Sequence, residues 1–236
     1  MKSNLLDILA FGAHPDDVEL GCGGTIAKLI HHGHRIGIVD LTRGELGTRG
    51  SASIRDEESA KAAELLGVEV RHNMNFRDGF FENNELHQLE VIKLLREFRP
   101  KIVLANAIDD RHPDHKKASD LVSDACFLSG LPKIDTGQDA WRPNAVYNYI
   151  QFQEIPPDFV VDITDFMEHK MEVVQTYASQ FYNANSKEPE TIISSQAFLD
   201  SVRYRAANLG RLSRVSYAEG FTTEKLIVVD SLFQIK

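Results

Sequence analysis

Apolar residues along the chain fall into short runs that alternate with stretches of helical spacing. Residues 5–11 (LLDILAF), 35–41 (RIGIVDL), 68–73 (VEVRHN) and 101–107 (KIVLANA) predict strands, most of them buried. Residues 23–33, 53–67, 85–100 and 114–128 predict the helices that follow them. In the second helix Ser53 can cap, acids follow it, and Gly67 ends it. In the third, apolar residues recur at Leu86, Leu89, Ile92 and Leu95, and Pro100 stops the pattern. This strand–helix alternation predicts an α/β fold, a Rossmann-like three-layer sandwich with a mainly parallel sheet. The second half is less regular. Strands are expected at 144–153, 158–163 and 225–230, and helices at 165–181 and 190–210. With no repeat, low-complexity tract or clear linker, residues 1–236 read as a single domain.

A doubly wound sheet binds ligands beyond the carboxyl ends of its strands, where the strand order reverses. In a 3-2-1-4 order, strands 1 and 4 are neighbours at that point. The first is followed by AHPDD (13–17) and the fourth by AIDDRHPDH (107–115), the two richest His/Asp clusters in the chain. The topology therefore brings together segments far apart in sequence. His14, His115 and a carboxylate of the Asp16–Asp17 pair make a ligand set for Zn²⁺ with one position open, Asp17 being the plausible third ligand. Asp16 could then accept a proton from the activated water. His112 could face the oxygen that gains charge, as a protonated electrophile held in its tautomer by Asp114.

Gly21, Gly23 and Gly24 follow the first cluster but do not complete a dinucleotide fingerprint, because position 26 is Ile and the lead-in is acidic. They are expected to turn the chain tightly from the site into the first helix. The HHGH run (31–34) falls at a helix end, where it complements the dipole. Arg43, Arg49 and Arg55 stand out in the loop after the second strand and suit a carboxylate or phosphate on a substrate. Asp78, in RDGFF (77–81), could take hydroxyls of a polyol.

Composition narrows the class. The net charge of −9 disfavours a nucleic-acid partner. No stretch approaches the roughly 20 apolar residues of a membrane span, and the amino-terminal run is too short and too charged for a secretion signal. Two cysteines without a C-x-x-C pair suit a reducing cytoplasm. Competing readings are a nucleotide- or metal-binding sensor and a two-metal phosphoesterase, for which Asp109 and Asp110 are spare acids.

In AHPDDVE (13–19) and HPDH (112–115) the chain resembles the PIG-L/LmbE family of zinc-dependent N-acetylglucosamine deacetylases. Val18 stands where many members carry an acid, with Glu19 one place later. GAHPDDVELGCGGT, DLTRGELGTRGS, RDGFF and, towards the end, GRLSRVSYAEGF (210–221) resemble the bacillithiol-biosynthesis subgroup. The resemblance implies His14, Asp17 and His115 as zinc ligands, Fe²⁺ being able to occupy the same set. It implies Asp16 as general base, His112 with Asp114 as the oxyanion-stabilising pair, and Arg55 as a substrate contact. It implies a small-molecule substrate, N-acetylglucosaminyl malate, with chitin-derived disaccharides as the alternative. It also implies a homo-oligomer, up to a hexamer.

Overall fold

The computed structural model describes residues 4–234, so the first residues of the amino-terminal run and the last two of the chain lie outside it. The predicted alternation holds through the first half: β1 (Ile8–Gly12), α1 (Asp17–His31), β2 (Ile36–Thr42), α2 (Ala52–Leu66), β3 (Val70–Phe76), α3 (Glu85–Phe98), β4 (Ile102–Ala105) and α4 (Pro113–Ser129). The rest adds β5 (Ala145–Tyr149), β6 (Phe159–Asp162), α5 (Met167–Val174), α6 (Gln196–Leu212) and β7 (Ala218–Thr223). The sheet runs β3-β2-β1-β4-β5-β7-β6. Its first five members are parallel, and β7 runs antiparallel to both β5 and β6. Strands β1 and β2 are buried along their whole length, as apolar runs between two helical layers should be. One apolar core lies under α1, α2, α5 and α6, and the other under α3 and α4.

The expected neighbours at the switch point are neighbours. Strand β1 pairs with β4, Ile8 against Ile102 and Ala10 against Leu104. Both segments leave the sheet on one side, and Ala13 N–H donates to Asn106 Oδ1 at 2.9 Å, stitching them together.

Several sequence expectations are corrected. Helix α1 begins at Asp17 rather than at the glycines, so Gly21, Gly23 and Gly24 lie inside it. Gly21 and Gly24 serve close packing, not a turn. A Cβ on Gly21 would lie 2.1 Å from the Tyr149 ring, and one on Gly24 would lie 2.8 Å from Ile163. Helix α2 is capped by Ser51, whose Oγ accepts from Ile54 N–H, rather than by Ser53. The helix expected at 165–181 is only α5, and the one at 190–210 lies over Gln196–Leu212. Residues 225–230, apolar enough for a strand, form none. The last strand is β7, which contains Glu219.

Glu219 explains why β7 does not look like a strand in sequence. Helix α1 is broken at Cys22, where φ is −143° and ψ is 21°. The break leaves backbone groups without helical partners, and each must find another. Glu219 accepts from Gly24 N–H at 3.0 Å and from Thr25 N–H at 2.7 Å. Lys170 donates to Leu20 C=O at 2.8 Å and to Glu219 at 2.6 Å. Both side chains are 3% exposed, so each charge depends on the other. Lys170→Met should lower stability by about 3–5 kcal/mol, because Glu219 is then buried unpaired. The measurement is the urea midpoint, and a loss of under about 1 kcal/mol would show the brace to be no stronger than a surface pair.

Candidate metal and hydrolytic site

The site is built where β1, β4 and β5 end. The chain leaves β1 through His14 and Pro15 into the amino terminus of α1, where Asp16 is the cap and Asp17 the first helical residue. Asp16 has φ of 117°, which is unusual for a residue other than glycine. Arg55 accounts for it: its guanidinium donates to Pro15 C=O and, at 3.0 Å, to the Asp16 carboxylate. Gly44 makes room for this arginine, since a Cβ there would lie 2.1 Å from Arg55 Nη1.

The Asp17 carboxylate lies between two imidazoles, 3.5 Å from His14 Nδ1 and 3.2 Å from His115 Nε2. Three donors pin it. His14 N–H and Asn106 Nδ2 reach one oxygen at 2.9 and 3.0 Å, and Gln151 Nε2 reaches the other at 2.6 Å. The far nitrogens of the imidazoles also face acids. His14 Nε2 is 3.0 Å from Asp78 and 3.5 Å from Asp114, and His115 Nδ1 is 3.1 Å from Asp110. His112 stands beside both rings, 4.7 Å from His14 and 5.2 Å from His115 between centroids.

The electrostatics favour a cation. Burial works against a charged His14, but Asp114, Asp17 and Asp78 outweigh it and hold its pKa well above the ordinary value. Burial likewise opposes a charged His115, yet Asp17 and Asp110 raise it to about 9. Asp17 is kept well below the usual carboxylate range, its burial being outweighed by His115 and His14. Asp16 differs: burial pushes it up to about 7, against the pull of Arg55. A carboxyl near neutrality beside a cation site is suited to moving protons.

The donor set fits a divalent ion. Nitrogen, nitrogen and carboxylate oxygen are the ligands zinc takes in hydrolytic sites, and ligand atoms about 2.0–2.1 Å from a tetrahedral centre stand roughly 3.3–3.4 Å apart. Around Asp17 each imidazole faces its own carboxylate oxygen, His14 at 3.5 Å and His115 at 3.2 Å. A carboxylate behind each histidine completes the usual second layer of such a centre. Nitrogens of His14, His112 and His115 also lie within 4.8 Å of one another.

Most sequence-expected site residues come together here, with changes of role. His112 is the cap of α4, and its Nδ1 accepts from Asp114 N–H at 3.3 Å. Nδ1 therefore carries no proton, and the donor it can offer is Nε2–H. Burial, with the charges of His14 and His115, lowers its pKa to about 4. The expected protonated electrophile is thus a neutral one, oriented by the Asp114 backbone, while the Asp114 carboxylate turns to Gly79 N–H, Lys117 and His14. Asp78 was expected to take substrate hydroxyls, but one oxygen serves His14 and the other accepts from Leu46 N–H. Arg43 falls outside the cleft, paired with Asp56. Arg49 lines the cleft but donates to Ser186 and faces Glu188.

Sequence reasoning missed Asp110, Asn106 and Gln151. Asn106 directly follows β4, and Gln151 lies just past β5. The strand-end rule that found the His/Asp clusters could have found both. Asp110 was left as a spare acid because nothing in sequence shows its oxygen next to His115 Nδ1.

The cleft over these groups holds about 930 Å³. A His/Asp donor set with a near-neutral carboxyl, at the switch point of a parallel sheet, has the parts a metal-assisted hydrolase needs. The family model described as "PIG-L: GlcNAc-PI de-N-acetylase" matches residues 9–126. The chain is 33% identical over 228 residues to the diacetylchitobiose deacetylase of Thermococcus kodakarensis, covering 90% of this chain and 81% of that protein. It is 27% identical over 197 residues to the Bacillus anthracis protein named "Probable N-acetyl-alpha-D-glucosaminyl L-malate deacetylase 2", covering 77% and 84%. The crystal structure of the conserved protein TT1542 from Thermus thermophilus superposes with a TM-score of 0.87 at 34% identity, covering 96% and 98%. The chain belongs to the PIG-L family, and it is an N-deacetylase, a hydrolase of amide C–N bonds.

If Asp78 and Asp110 steady the two imidazoles for a cation, Asp78→Asn and Asp110→Asn should each weaken Zn²⁺ affinity about 10- to 100-fold. Asp109→Asn, whose carboxylate only accepts from Gln153 on the surface, should not. Competition against a chromogenic chelator measures this, and three equal affinities would refute the assignment.

Proposed function

We propose that the chain removes the acetyl group from an N-acetylglucosaminide, with N-acetylglucosaminyl malate as substrate and Zn²⁺ as the metal, Fe²⁺ being able to take the same ligands. The observation that carries this reading is Asp16, near neutral and gripped by Arg55, next to the His14–Asp17–His115 donor set. His14, Asp17 and His115 would hold the ion. Bound there, it would lower the pKa of a water and polarise the acetyl carbonyl. Asp16 takes the proton as water adds to the carbonyl carbon. His112 Nε2–H donates to the oxygen that gains charge. When the C–N bond breaks, Asp16 returns a proton to the amine, and acetate and glucosaminide leave. Arg55 acts through Asp16, fixing its direction.

A second reading, a disaccharide deacetylase, is favoured by the identity to the diacetylchitobiose enzyme. Amine release from the malate glycoside, diacetylchitobiose and free N-acetylglucosamine separates the two. The malate glycoside should have the highest kcat/KM, and equal values on all three would sink the malate assignment. Chelation should abolish turnover and Zn²⁺ should restore it. Asp16→Asn should keep the metal and lose roughly 10²- to 10⁴-fold in kcat. Wild-type turnover by the metal-loaded variant would remove Asp16 as the base.

We also read the protein as a cytoplasmic homo-oligomer, with a hexamer as its largest form. Two buried free thiols, Cys22 and Cys126, support the compartment. Among the described residues no helix is long and apolar enough to cross a membrane. The tail after β7 supports self-association: Leu226 is 96% exposed and Phe233 is 98% exposed, more apolar surface than a monomer usually leaves in one segment. Light scattering should show an assembly that Leu226→Asp with Phe233→Asp reduces. A monomeric wild-type protein would end this reading.

A further inference from the structure

The arginines that stand out in sequence are already engaged. Arg43 pairs with Asp56, Arg55 with Asp16, and Arg49 with Ser186 and Glu188. Two others line the cleft without an ion pair among the described residues. Arg111 directly precedes His112, and its guanidinium carbon lies 4.8 Å from the centre of the Phe152 ring. Arg205 reaches in from α6 and donates to Phe152 C=O at 3.3 Å. The two therefore flank one aromatic residue on the His112–His115 side of the cleft.

Two of the acids near them are occupied. Asp110 accepts from Phe152 and Arg111 N–H and faces His115. Glu219 is locked to Lys170 and to the α1 backbone. Burial lowers the Arg205 pKa against the attraction of Asp110, Glu154 and Glu219, so the fold carries a cation that its own acids do not fully neutralise. Half-buried Phe152 has the Arg111 guanidinium over its ring, Phe198 stacked on it, and the Arg205 guanidinium on its backbone carbonyl.

We propose that Arg111 and Arg205 form an anion subsite for the aglycone of the substrate, binding a carboxylate or phosphate carried on the sugar's anomeric substituent. This rests on the deacetylase reading of the same cleft. The chemistry of the sugar sets the location: the anomeric substituent is vicinal to the acetamido group. Its charge therefore stays close to the acetyl group, inside the cleft that Arg111 and Arg205 line with His112 and His115. Guanidinium groups suit the task because they meet carboxylate or phosphate with paired donors. A neutral second sugar would leave both cations without a partner.

The test separates binding from turnover. Calorimetry on the metal-loaded enzyme compares three deacetylated glucosaminides that are not turned over: the malate glycoside, glucosamine 1-phosphate and the methyl glycoside. Wild-type protein should bind one or both anionic compounds at least about tenfold more tightly than the methyl glycoside, and the stronger of the two identifies the anion. Arg205→Gln should erase that preference and leave methyl glycoside binding unchanged, while Arg205→Lys should keep part of it. Arg111→Gln, at an exposed position, should show a like loss and keeps the test open if Arg205→Gln does not fold. In turnover, the same variants should raise KM for the acetylated anionic substrate and leave kcat in place. No preference in the wild type, or equal losses on charged and neutral ligands, overturns the subsite. A retained binding preference without any amine release would instead overturn the deacetylase reading and leave the subsite standing.

Discussion

The parallel pairing of β1 with β4 is the constraint on which the site depends. It sets the loop carrying His14, Asp16 and Asp17 against the loop and helix start carrying Asp110, His112 and His115. The Ala13–Asn106 hydrogen bond then fixes the two loops to each other. Asn106 also holds Asp17, and Gln151 does the same from beyond β5. The carboxylate between the two imidazoles is thus supported from three strand ends, which gives a rigid donor set rather than a loop that has to close around an ion.

Helix α1 carries much of the cost of this arrangement. Its first turn presents Asp16 and Asp17, so its axis must be aimed by the site rather than by the sheet alone. The helix is also broken at Cys22, and buried charges repair the break. Glu219 and Lys170 replace the missing backbone partners. Nearer the site, Glu19 is buried against Arg71 and Tyr177, and Arg71 also holds Asp40 on β2. Glu19, which sequence comparison could only describe as an acid one place late, is part of this internal clamp.

The first half of the fold was legible because β1, β2 and β4 are largely apolar, buried runs and its helices have ordinary stops. The apolar tail at 225–230 misled for the opposite reason. Its side chains are exposed, while the true last strand hides a glutamate in the core. Hydrophobic pattern reads burial by default, and it does not see the buried partners that hold Glu219. The same holds within the site. The His and Asp clusters were recognisable as chemistry at strand ends. Whether each arginine is free or already paired depends on Asp56, Glu188 and Asp16, and no spacing rule relates all of these.

By itself the sequence determined the fold class, the meeting of the two motif loops and the residue types for a hydrolytic metal centre, because alternation and strand-end placement follow from local periodicity. Only the tertiary structure decided which nitrogen of each histidine faces Asp17, that His112 Nδ1 accepts from Asp114 N–H, and that Arg55 grips Asp16. It also decided that, among the described residues, the cleft's unpaired cationic charge lies with Arg111 and Arg205. Those properties depend on distances of a few ångströms between groups from different elements, and such distances are set by how the elements pack.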